Sequence, residues 1–268
     1  MAIMALYSAA TGMRALSQQL DVISNNIANA NNNGFKSSRV NFEDLLYQQQ
    51  QQAGTTNNNG DIRPIGIEIG LGTRVTGTQL DFTQGSAIQT TSPLDMLIQG
   101  NGFFQVKVLQ GQGNGLAYTR TGSFTLDANG NMVMANSSGY KLDPAIQVPT
   151  NATSINITND GQVFAVVPGS VQPVRAGQIN LVSFANPEGL TQIGGNLYQQ
   201  TEAAGQPVTG IPGQPGLGTI QQSYLEASNV DPVKELVDLI KTQRVFEMNS
   251  QAIQAADQML QVVAHLRQ

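Results

Sequence analysis

The side chains that usually carry chemistry are scarce in this sequence, and those present are isolated. Cysteine is absent, which removes thiolate nucleophiles, thiolate metal sites and disulfides. His265 is the single histidine and falls in the closing turns of a predicted helix, where a cation simply complements the helix dipole. One imidazole supplies neither a zinc site nor a Ser-His-Asp arrangement. Gly111-Gln112-Gly113-Asn114-Gly115 begins like a nucleotide loop but lacks its final glycine, and no Gly-Lys-Ser/Thr follows. Asp127-Ala128-Asn129-Gly130-Asn131 has the start of a calcium loop, yet Ser138 stands where the bidentate glutamate belongs. The same residues favour a tight hairpin turn, and that is the expectation. Acidic residues are scattered, with no pair in a cleft-forming motif. No catalytic residue, cofactor or metal ligand is expected.

Composition points away from several binding classes as well. Charged residues make up 12% of the 268 residues and the formal net charge is −5, with no basic cluster to displace counterions from a phosphate backbone. Nucleic acid is therefore not an expected partner. Hydrophobic residues, at 40%, suffice for a buried core, but no apolar run reaches the roughly 20 residues of a membrane span. The opening MAIMALYSAA has apolar and small residues like a secretion signal, but the first positive charge, Arg14, follows it instead of preceding it. No cleaved signal is expected.

What remains to be positioned is two apolar stripes, one at each end. Leu6, Met13, Leu20 and Ile27 repeat every seven residues, and Ala9, Leu16, Ile23 and Ala30 follow three residues on. Asn31-Asn32-Asn33-Gly34 then ends the helix, since Asn and Gly accept the left-handed conformation of a C-terminal cap. Near the other end Leu239, Phe246, Ile253 and Leu260 repeat in the same way, with Val245, Ala252, Met259 and Leu266 on the adjoining row. A third row, Thr242, Asn249, Ala256 and Val263, is partly polar. Asp231 is placed to cap this helix and Pro232 to occupy its first turn. A single narrow seam is a small gain for ordering so long a segment, so both termini are expected to be largely disordered in the monomer and to fold on assembly.

Between about residues 75 and 222 the period shortens to strands and tight turns. Phe104, Val106 and Val108 share one face, Phe124 and Leu126 precede the turn at Asp127, and Val163, Ala165 and Val167 follow Asp160-Gly161. A compact antiparallel β-domain is predicted. Tyr47 to Gly60, rich in Gln and Asn, reads as a linker, and the alternation from Ile65 to Gly72 as an extended strand. The proline-bearing loop from Gly205 to Gly218 is the expected return crossing.

These segments carry a family resemblance. Leu6 to Met13, Ile23 to Asn31 and Gly34-Phe35-Lys36 are similar to the N-terminal signature of flagellar rod and hook proteins. Ser228-Asn229-Val230-Asp231, Glu235-Leu236-Val237, Gln243-Arg244-Val245-Phe246-Glu247 and Asn249-Ser250 resemble the C-terminal signature. Gln99 to Val106 and Tyr118 to Asp127 resemble the family's β-domain. Length, the insert from Tyr47 to Thr73 and the single modest β-domain look most like the member that forms the distal rod. Asn32, Asn33 and the Gln run at 48 to 52 depart from the family pattern without touching the seams.

The resemblance implies an α+β fold in which residues 1–46 and 223–268 form a coiled-coil-like helical assembly layer. Residues 47–74 would form an extended insert associated with a straight rod, and 75–222 a β-rich outer domain. It implies a structural subunit exported through the flagellar type III apparatus, polymerising beneath a rod cap into a hollow driveshaft across the periplasm. The implied partners are further copies of the chain in a helical homopolymer, proximal rod proteins, the hook protein, the surrounding bushing rings and the export apparatus. The expected subunit-interface residues are Leu6, Met13, Leu16, Leu20, Ile23, Ile27, Leu239, Phe246, Ile253, Leu260 and Val263. The matched motif residues are Asn26, Asn29, Gly34, Phe35, Ser228, Asn229, Gln243 and Arg244. The rival readings are another axial protein of the same family, a secreted enzyme, which would need paired acids or a metal in a cleft, and a β-rich adhesin, which would leave matched terminal heptads unexplained.

Overall fold

The structure is a computed structural model that describes residues 2–54, 64–108, 115–169 and 172–265, with the side chains of residues 2–3 and 263–265 outside the description. Two compact units emerge, the first comprising Met1–Ala28, Ser38–Leu80 and Asp231–Gln268, the second Asn29–Ser37 and Asp81–Val230. The chain is α+β: a long helix at each end and a β-rich middle.

In the first unit, helix α1 (Ala2–Ala28) is followed by β1 (Ser38–Asp44), β2 (Tyr47–Gln51), β3 (Ile67–Gly70) and β4 (Thr73–Leu80). β1 pairs antiparallel with β4, from Ser38 opposite Leu80 to Asp44 opposite Thr73, and β2 pairs antiparallel with β3. The ribbon differs from the expected linker, because Gln48 to Gln51 lie within a paired strand. All five β2 residues are exposed, so neither face buries an apolar row and the sequence shows no alternation there. Residues 55–63 of the insert lie outside the described residues.

Helix α2 (Pro232–His265) closes the unit. Asp231 Oδ1 accepts from the backbone N–H groups of Val233 at 3.0 Å and Lys234 at 3.3 Å, the N-cap expected from the sequence. Leu266, placed on the adjoining row, lies outside the described residues.

The second unit holds sixteen short strands among the described residues: β5 (Ala87–Gln89), β6 (Met96–Gln99), β7 (Phe103–Lys107), β8 (Leu116–Thr119), β9 (Phe124–Leu126), β10 (Met132–Met134), β11 (Lys141–Leu142), β12 (Ser154–Ile157), β13 (Gln162–Val166), β14 (Val174–Gln178), β15 (Leu181–Ser183), β16 (Thr191–Gly194), β17 (Leu197–Gln199), β18 (Val208–Gly210), β19 (Thr219–Gln222) and β20 (Tyr224–Glu226). Its largest sheet runs β16-β17-β8-β7-β11-β10-β9, with β15 joining β7 to β18. β12-β13-β14 form a meander, β19 pairs with β6 and β20 with β5.

Phe104, Val106, Val108, Phe124, Val163 and Ala165 are buried together with Met96, Ile98, Leu142 and Ile179, as the alternation predicts; Val167 is only half-buried. Beside them Phe82, Phe103, Phe184 and Tyr198 pack edge to face at 5.3 to 6.0 Å between ring centres. The Gly205 to Gly218 loop is less irregular than expected, since Val208–Gly210 pairs with β15.

Candidate assembly surfaces

α1 and α2 pack against each other within the first unit. A side chain added at Gly12 would meet Asn249 at 3.6 Å, and Asn26 Nδ2 donates to Glu235 Oε1 at 3.2 Å. As numbers rise along α1 they fall along α2, so the pair is antiparallel.

On α1, Ala9, Ala15 and Ile23 are buried, while Leu6, Met13, Leu16, Leu20 and Ile27 are only half-buried. On α2, Leu239, Phe246 and Ile253 are half-buried and Leu260 is 37% exposed; the Val263 side chain lies outside the described residues. The adjoining row does not pack against α1 within one chain. Val245, Ala252 and Met259 face solvent, and the partly polar third row, Thr242, Asn249 and Ala256, packs inward. Small residues let two helix backbones approach, and Thr242 removes its own polarity by donating to the Asp238 carbonyl at 2.7 Å.

The motif residues divide into two groups. Asn26 is buried and grips the start of β1, donating to the Ser38 carbonyl at 2.8 Å and accepting from the Ser38 N–H at 3.0 Å. The Asn29 carbonyl accepts from the Asn32 N–H at 3.0 Å in the turn after α1. Gly34 has φ +73°, and a Cβ there would come within 2.8 Å of the Thr121 backbone, so two independent constraints require glycine. Phe35 is buried beside it in the chain. Ser228 Oγ accepts from the Val230 N–H at 3.2 Å. Asn229 accepts from the Ser37 N–H at 2.7 Å and donates to the Asp81 carbonyl at 2.8 Å, tying together both segments that enter the second unit near residues 37 and 81. Gln243 and Arg244, by contrast, are exposed on α2.

A buried charge cluster escaped the sequence reading. Lys36 Nζ donates to Glu226 Oε1 at 2.6 Å and to the Thr83 carbonyl at 2.6 Å, with both side chains at most 1% exposed. Glu226 Oε1 also accepts from the Gly85 N–H at 3.0 Å. Arg120 Nη1 lies 3.7 Å from Glu226 Oε2, and its guanidinium sits over the Phe103 ring at 5.4 Å. Burial draws the Lys36 ammonium below its ordinary value, against the opposing pull of Glu226. The available signal was the placement of Lys36 and Arg120 inside matched motifs of a chain poor in charge, next to Phe35 and Tyr118.

The Asp127 loop is a turn. Its Oδ1 accepts from the N–H groups of Asn129 and Asn131, both at 2.8 Å, and its Oδ2 from the Asn131 side chain at 2.8 Å. Hydrogen bonding to Asn131 holds the carboxyl below its ordinary value. Among the described residues no group of three His, Cys, Asp or Glu side chains gathers as a metal site. Positions 111–114 of the glycine-rich segment lie outside them.

Exposed apolar side chains collect on the helices and ribbon of the first unit. Val233, Leu236, Val237, Ile240 and Met248 on α2 are 45 to 71% exposed, and Leu46 and Ile65 on the ribbon exceed that.

Three family models match in chain order: "Flagella basal body rod protein" over residues 6–36, "Flagellar hook protein FlgE/F/G D1 domain" over 97–165 and "Flagellar basal body rod FlgEFG protein C-terminal" over 221–266. The flagellar basal-body rod protein FlgG of Buchnera aphidicola subsp. Acyrthosiphon pisum is 45% identical over 261 residues, covering 97% of this chain and 98% of the relative. That of Agrobacterium fabrum is likewise 45% identical over 261 residues with the same coverage, and that of Bacillus subtilis 38% identical over 269, covering 98% of each. The Caulobacter vibrioides rod protein FlgF is more distant, 33% identical over 247 residues, covering 91% of this chain and 89% of its own. The matches at both ends fall on the antiparallel helix pair and on the asparagines and glycine that secure its exits, and the chain belongs to the flagellar basal-body rod protein family.

Proposed function

We propose that the chain is the repeating structural subunit of the distal part of the flagellar rod, polymerising with copies of itself into a hollow shaft that transmits torque to the hook. The observation that carries this reading is the state of the helix pair. Its apolar rows are half-buried within one chain and a further apolar row lies in water, as expected of surfaces that neighbouring subunits complete. The terminal segments 1–46 and 223–268 act as the assembly layer, packed in the coiled-coil manner, while 47–74 is the insert associated with a straight rod and 75–222 forms the outer wall. Leu6, Met13, Leu16, Leu20, Ile23, Ile27, Leu239, Phe246, Ile253, Leu260 and Val263 serve both the intrachain pair and its neighbours.

The role is mechanical and needs no catalytic group. Proximal rod proteins and the hook protein are the axial neighbours, and bushing rings surround the shaft. A rod cap and the type III export apparatus deliver and place the subunits across the periplasm. Torque then passes through many contacts per subunit instead of one.

Electron microscopy of basal bodies from a deletion strain tests the reading. Rods that end early are expected, with length restored by the wild-type chain but not by Ile23→Asp or Ile253→Asp. Complete rods in the deletion strain would overturn it.

A further inference from the structure

Asn26, Asn29, Gly34, Phe35, Ser228 and Asn229 all secure turns of the chain itself, whereas the side chains of Gln243, Arg244 and Glu247 make no hydrogen bond or ion pair among the described residues. Arg244 and Glu247 lie on the outward face of α2, in the same i, i+3, i+4 progression as the exposed Val233, Val237, Ile240 and Met248. That face therefore combines apolar surface with an uncommitted carboxylate.

The same unit offers a counterpart. A cleft of ≈ 340 Å³ opens between α1 and the β1–β4 pair, lined by Tyr7, Thr11, Arg14, Gln18, Thr73 and Arg74 among others. Arg74 is engaged by Glu43 at 3.2 Å, but Arg14 has no acidic partner among the described residues. Tyr7 at the cleft is 55% exposed and offers an aromatic surface. Gly12 lies against Asn249, so Arg14 and Glu247 stand level on the antiparallel pair, yet they form no ion pair, because they occupy different faces.

We propose that the cleft beside Arg14 receives the carboxylate of Glu247 from a second copy of this chain, with Met248 of that copy against Tyr7. The contact deepens the self-assembly reading and rests on it. A neighbour that repeats the antiparallel α1–α2 pairing sideways joins the two charges between copies, and the partly enclosed cleft strengthens the pair relative to a fully hydrated one. Met248 covers Tyr7 with a flexible thioether and leaves water at the rim.

The absence of cysteine makes the test specific. Arg14→Cys and Glu247→Cys copies, carrying tags of different size, are produced together in a strain lacking the native chain, and its basal bodies are oxidised and run without reductant. A mixed dimer that requires both variants is expected. Separately, Arg14→Glu and Glu247→Arg should each reduce motility at least about fivefold, and the double exchange should restore most of it. Rescue by the double exchange excludes misfolding as the cause of the single defects. Normal motility in both single reversals, failure of the double exchange to rescue, or normal rods without the mixed dimer would overturn this contact. A deletion strain with complete rods would instead sink the self-assembly reading itself.

Discussion

The two units bury their apolar side chains to different degrees. In the β-rich unit Met96, Ile98, Phe104, Val106, Leu142, Ile179 and Leu181 are essentially removed from water, and even the charges of Lys36 and Glu226 are paired inside. In the helical unit Ile23 is the one large seam residue of α1 to be fully buried, while Val233, Ile240, Met248 and Met259 remain in water. A sheet closes its own core through pairing between strands distant in sequence. Two helices in contact bury only the stripe between them and leave the rest of each cylinder for other partners. The β unit thus contains most of its own stabilising contacts, and the helical unit has surface still to fill.

Substitutions can break that comparison. The largest effect is expected from Glu226→Leu, which leaves Lys36 and Arg120 as buried cations without a carboxylate. A loss of about 3–5 kcal/mol in denaturant unfolding of the β unit is expected. An unchanged midpoint would mean that this interior does not depend on its charge cluster.

Gly34→Ala comes next. It combines a left-handed backbone with a Cβ against the Thr121 backbone, and a loss of about 2–4 kcal/mol should appear as a lower melting temperature.

The smallest effect belongs to the helix pair. Burial raises the Glu235 carboxyl above its ordinary value, so the native state takes up its proton more readily than the unfolded chain. This contribution favours folding below the unfolded value of 4.5 and is lost as pH rises through the higher folded value. Glu235→Gln, which retains an acceptor for Asn26, should therefore raise the melting temperature slightly at pH 7 and leave it unchanged well below pH 4.5. A decrease at pH 7 would show that the charge itself holds the pair together.

The sequence was most legible where one physical cause acts alone. Asp231 and Pro232 mark the start of α2 because a cap and a ring-fixed φ need no tertiary support. The alternation at Phe104, Val106 and Val108 marks a buried face because the period of a strand is two. It was least legible where local pattern and tertiary demand conflict. The row at Thr242, Asn249 and Ala256 looks less apolar than Val245, Ala252 and Met259, yet close helix approach selects small side chains over greasy ones. Gln48 to Gln51 carry no alternation, and only their pairing to β3 makes them a strand. The Lys36–Glu226 pair joins residues from opposite ends of the sequence, and no window along the chain contains both.

That last separation has a kinetic meaning. The β unit takes in Asn29–Ser37 at one end and extends to Val230 at the other, with Lys36 and Glu226 closing on each other inside it. Any process that delivers the chain from its N-terminus, whether synthesis or threading through a narrow channel, holds Lys36 waiting until Glu226 arrives. Premature closure of the unit inside such a channel is therefore opposed by the order of its own residues.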